Sequence, residues 1–276
     1  MTLSERNIMF RAGIFIAAAA VLLAAAAAWV VIPALPAAGE AARRAPGIIQ
    51  SFIGQFLEPN PYAPLAAIAA SALYALITLI LISYFFEKTQ APEILFFAFF
   101  AASFSFEAIR FMAPLQQIFA VPPLYQVIAF RVLLFSRYFG IFALFTASAY
   151  AAGLEVQKQR DIFLIITVAA LVVVMGVPID VLSWDSSFSM IGGYTAMFRM
   201  IEAGTLLITM VSFFISAWTR GSREYILIGA GSFLVFLGRN ILLSADTWLS
   251  PAPGLILLAL GTWLICTRLH HVYLWL

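Results

Sequence analysis

Residues 63–86 read Ala-Pro-Leu-Ala-Ala-Ile-Ala-Ala-Ser-Ala-Leu-Tyr-Ala-Leu-Ile-Thr-Leu-Ile-Leu-Ile-Ser-Tyr-Phe-Phe, without one charged side chain. A helix crossing the ~30 Å hydrocarbon core of a bilayer needs about 20 such residues. Lipid offers no hydrogen bonds, so the backbone must satisfy itself, and a helix does that within one segment. The stretch is predicted to be a transmembrane helix. Seven more apolar runs flank it: 8–32, 94–113, 124–154, 162–182, 197–218, 225–243 and 255–268. Prolines stand near several of their ends (Pro33, Pro36, Pro92, Pro122, Pro123, Pro178, Pro251 and Pro253), where a missing N–H does least harm.

The whole composition agrees. Hydrophobic residues make up 64% and charged residues 10%, where a soluble domain carries roughly 45–50% and about 25%. Mean hydropathy is +1.02. The predicted fold is an all-α, polytopic transmembrane helical bundle of about eight spans. Its parts are an N-terminal anchor (1–36), an outside loop (37–61) and a seven-helix core (62–276). Arg6 and Arg11 before an alanine-rich run resemble a signal peptide, but the run is long, and a retained span is expected.

Positive charge sets orientation. With the N-terminus inside, the inner segments carry Arg6, Arg11, Lys88, Lys158, Arg160, Arg220, Arg223 and Arg268, and the outer ones only Arg43 and Arg44. Both termini are expected on the cytoplasmic side of the cytoplasmic membrane. In the first outer loop, apolar pairs at 48/49, 52/53 and 56/57 suit either a short helix lying in the interface or a reentrant loop. Gly229 and Gly231 suit close helix contact.

Two weak correspondences raise the possibility of an internal repeat. Arg131 precedes Ser148 as Arg199 precedes Ser216, by 17 residues, and Ser103 precedes Arg110 as Ser232 precedes Arg239, by 7. The matched helices come in opposite order along the chain, which weighs against it.

Charge at membrane depth is the informative signal, because each such group costs on the order of 3 kcal/mol near the middle. Glu107, Arg110, Arg131, Arg199, Glu202 and Arg239, with Asn240, fall at similar depth in the predicted outer half. Arg137 falls deeper by this reckoning. Four arginines against two glutamates leave an excess of about two positive charges, which favours an anionic ligand or a lipid headgroup. Asp180, Asp185 or Asp246 folding in from the outer loops would balance it instead. Glu107–Arg110 and Arg199–Glu202 also have the spacing of local i,i+3 pairs.

The function classes narrow accordingly. Net charge of +2 gives no footprint for nucleic acid. Both histidines, His270 and His271, lie past the last run, and the lone Cys266 sits inside it, so neither a metal nor another cofactor is expected. An enzyme needs a nucleophile, base or metal, and no such motif is present. The favoured reading is a ligand-binding, sensor-like membrane module with an arginine-rich cavity. A small-anion or organic-acid transporter or channel comes second, and a structural subunit of a membrane complex third. A protein partner or homo-oligomer fits any of the three.

Overall fold

The computed structural model describes residues 3–34, 58–89, 91–179, 184–189 and 192–274, all but the side chains of Gln117 and Leu274. The helices are α1 (Leu3–Ala34), α2 (Tyr62–Phe85), α3 (Pro92–Ser103), α4 (Met112–Phe119), α5 (Pro123–Ala151), α6 (Gln159–Met175), α7 (Thr195–Arg220), α8 (Glu224–Leu243) and α9 (Pro251–Leu274). A 3-10 segment, Phe104–Phe111, joins α3 to α4, and a shorter one, Val156–Lys158, leads into α6. The protein is a polytopic helical bundle, and the described residues form no strand beyond an isolated bridge between Pro59 and Thr247. The expected interfacial helix at 48–57, and Arg43, Arg44 and Asp180, lie outside the described residues.

Among the described residues, seven helical stretches are long and apolar enough to cross a membrane. The eighth expected span, 162–182, contributes only the 17-residue α6, which rises about 25 Å. It nevertheless returns the chain to the opposite end of the bundle. Phe163 packs on Phe99 and Phe139, while Val174 at the far end meets Arg131 near the start of α5. The two helices therefore run antiparallel.

α3 is the centre of the bundle. In the most apolar window of Pro92–Gln116, which α3 opens, 72% of residues are buried, against 22% in α1, and α3 packs on α5, α2 and α1. Helix α1 is a packed member too. Phe10, Ala17, Ala24 and Val31 are buried and recur every seven residues, which puts them on one stripe. The small alanines let α1 lie close to α2. At one end the guanidinium of Arg6 donates to the Glu87 carbonyl at 2.5 Å. α2 in turn reaches α9 through a 2.7 Å hydrogen bond between the hydroxyls of Tyr74 and Thr262.

Helices α8 and α9 make the closest pair. Gly231 and Gly238 lie seven apart on one face, and Gly254 and Gly261 answer them on the other helix. A Cβ on Gly238 would stand 2.7 Å from the Gly254 carbonyl oxygen, and one on Gly261 would stand 2.6 Å from that of Gly231. Of the two expected contact glycines, Gly231 lies in this seam and Gly229 meets Phe213 of α7 instead.

Both described ends of the chain lie at the same end of the bundle. Arg6 holds Glu87 beyond α2, the Phe86 ring meets His270, and the Tyr273 hydroxyl donates to Glu93 Oε2 at 2.6 Å. Arg220 joins the same layer, donating to the Tyr225 hydroxyl and to the Tyr150 carbonyl. The possible repeat finds one difference: the interval from Ser103 to Arg110 is wound mostly as 3-10, whereas that from Ser232 to Arg239 is α.

Candidate functional site

The site is built on the 3-10 segment. With three residues per turn, positions i and i+3 eclipse, so Phe104, Glu107 and Arg110 stack on one face, and all three are buried. At the seam where α3 changes winding, the Ser103 carbonyl accepts the Ser136 hydroxyl of α5 at 2.8 Å. Gly140 makes room there, since a Cβ on it would stand 2.4 Å from Ser103 Oγ. α5 is thus fixed against the segment, one turn from the charges.

Glu107 is held by a fork. Arg137 donates from Nε to Oε1 and from Nη2 to Oε2, both at 2.8 Å, the planar match that arginine makes and lysine does not. Arg110 Nη1 stands 3.6 Å from the same carboxylate. The expected local pair is present but secondary. Arg137, placed deeper by counting along the sequence, is level with Glu107 and is its main partner.

Arg110 is sealed rather than open. Its side chain is 0% exposed, and Nη2 donates to the carbonyls of Ser187 and, at 3.1 Å, Leu243. The loop 184–189 covers it. Asp185 Oδ1 accepts from the backbone N–H groups of Ser187 and Ser189 and from the Ser187 hydroxyl. Trp184 donates to Gln116 at 2.9 Å, and Phe188 packs on the apolar cluster that includes Phe111. Of the two described aspartates among the three expected to balance the charge, Asp185 folds over the cluster, and Asp246 turns its carbonyl to Asn60 instead.

Arg239 and Glu202 form the second half. Arg239 is 3% exposed; its Nη2 lies 3.5 Å from Glu202 Oε1, and its Nη1 donates to Asn240 Oδ1 at 3.1 Å. Glu202 therefore pairs across to α8, not with Arg199 on its own helix. Arg199 is exposed and has no partner among the described residues. Arg131 stands apart from the cluster. It donates to the Val174 carbonyl in the last turn of α6, where a cation suits the negative end of the helix dipole. Thr205 and Thr209 return their hydroxyls to carbonyls of their own helix.

Two hollows meet at Arg199 and Glu202. One, of about 240 Å³, lies between α5, α7 and the turn before α7, with Leu134, Arg137, Tyr138 and Gly193 on its wall. The other, of about 550 Å³, lies between α7 and α8 and includes Asn240. Counting Arg110, Arg137, Arg199 and Arg239 against Glu107, Glu202 and Asp185 leaves one net positive charge (4 − 3). Two oppositely charged groups 4 Å apart at an effective dielectric of ~20 gain about 4 kcal/mol, so the surplus matters here.

A Treponema pallidum (strain Nichols) protein described as uncharacterized is 21% identical to this chain. The alignment covers 79% of this chain and 77% of that protein. No family model matches the chain, and no solved structure does.

Proposed function

We propose that the protein is a multi-pass membrane module that binds an anion in the outer half of its bundle, as the ligand-recognition step of a sensor-like role. The observation that carries this is the division of labour among the arginines. Arg137, Arg110 and Arg239 have carboxylates, and Arg110 and Arg239 also have oxygen acceptors. Arg199 stands on the wall of two hollows with none. A cluster serving only to join helices would balance its charges, since an unmatched ion at membrane depth is costly.

Inorganic phosphate, titrated against the detergent-solubilised protein, tests the reading by thermal shift. It is expected to stabilise the parent and Arg131→Gln alike, and Arg199→Gln not at all. Equal stabilisation of Arg199→Gln would overturn it, as would a parent that neither phosphate nor an anionic lipid headgroup stabilises.

The orientation belongs to the same reading: cytoplasmic membrane, with the end holding Arg6, Arg220, Arg223 and Arg268 inside. Support comes from the eight-to-two bias of positive charge and from the shared end of the described termini. In a Cys266→Ala background, cysteines placed at 88, 158 or 220 are expected to resist an impermeant thiol reagent added to intact cells. Labelling at all three would invert the orientation.

A further inference from the structure

The hollow between α7 and α8 has two ends of different chemistry. Arg199, Glu202 and Asn240 stand at the outer one, and Leu206, Met210 and Phe233 continue it along the helices. From Arg199 to Val211 is twelve residues, a rise of about 18 Å. That compares with about 15 Å for one leaflet's half of the hydrocarbon core. Ala203, Leu207, Val211 and Phe233 on its rim are exposed, so it opens sideways to the acyl chains.

We infer that this groove seats one membrane lipid with an anionic, phosphodiester headgroup, its head on Arg199 and an acyl chain lying toward Met210. The inference rests on the anion-binding reading of Arg199 and names the ligand. Charge favours this occupant: Arg199 and Arg239 against Glu202 leave one positive charge at the head end, matching a single phosphodiester. Asn240 adds a donor, because its carboxamide oxygen is taken by Arg239 and its N–H groups are left for a phosphate oxygen. A zwitterionic lipid would bring its own cation beside Arg199. A free anion would leave the apolar two thirds of the groove without a role.

The test uses the full chain in phosphatidylcholine vesicles that contain a minor share of phosphatidylglycerol bearing a photoactivatable group on one acyl chain. Crosslinks are expected on α7 between 203 and 211 and on α8 near 233. They should fall about tenfold in Arg199→Gln, the size of one lost charge-assisted hydrogen bond. Leu206→Trp, which fills the groove without touching a charge, should also lower them severalfold. The exposed position of Arg199 keeps its replacement from disturbing the packing. Labelling no stronger than with a photoactivatable phosphatidylcholine, or unchanged in both variants, would overturn the lipid assignment. If phosphate still stabilises the parent and not Arg199→Gln, the anion site stands and only the lipid fails. If phosphate has no effect and the lipid crosslinks as expected, the site takes its anion only with an acyl chain attached.

Discussion

Replacing Arg137 with glutamine is expected to cost about 3–5 kcal/mol of stability, the range for stranding one partner of a buried ion pair. Glu107 is 3% exposed and takes both of its short hydrogen bonds from Arg137. Arg110, at 3.6 Å, would offset part of the loss, so the lower half of the range is the better expectation. Arg137→Lys should fall between, because an ammonium cannot span both carboxylate oxygens. The double variant Glu107→Gln, Arg137→Gln should cost less than the two singles summed, since the second change removes the charge that the first one stranded. Reversible unfolding in mixed micelles measures the parent, both Arg137 variants, Glu107→Gln and the double variant. A single variant within about 1 kcal/mol of the parent would mean that the fork does not hold α5 to the 3-10 segment.

The second large effect is one of sign. Glycine to alanine inside a helix ordinarily stabilises by roughly 0.5–1 kcal/mol. At Gly204, where a Cβ meets nothing within 4 Å, alanine should be neutral or favourable. At Gly261 the same change should destabilise by about 1–3 kcal/mol, the cost of overpacking. There the new methyl group would stand 2.6 Å from the Gly231 carbonyl oxygen and 2.9 Å from the Val235 nitrogen. Backbone atoms cannot swing aside as a side chain can, so α8 and α9 would have to part. Paired thermal unfolding of the two variants reads the contrast. Equal shifts would show that the helices do not meet as closely as the glycines imply.

Much of the fold was legible because hydropathy measures the solvent directly. The run at 63–86 could hardly be anything but a span, and α2 covers it within a residue. The site was harder, for geometric reasons. Counting from the outer ends of the helices puts Arg137 too deep, because α5 has 29 residues where about 20 cross the core. Counted from the inner ends, Arg137 is fourteen residues from Ala151 and Glu107 fifteen from Pro92, which makes them neighbours. Arg131, six residues further out, overshoots the cluster and finds Val174. That Glu202 would prefer Arg239 to Arg199 depends on how α7 is turned toward α8, which i,i+3 spacing cannot say. The excess of positive charge was readable from the charged residues placed at membrane depth, and the covering loop shows that Asp185 offsets part of it.

The winding of residues 104–111 also sets a length. A 3-10 turn rises about 2.0 Å per residue and an α turn about 1.5 Å, so these eight residues reach about 4 Å further than an α-helix would. They also turn about 160° more over the same stretch. Rewound as α, the segment would draw Met112–Phe119 inward and rotate it, taking Gln116 away from Trp184 and lifting the 184–189 loop's anchor from beneath it. The segment is thus a spacer, cut to the distance between the buried Ser103 seam and the loop that closes over Arg110.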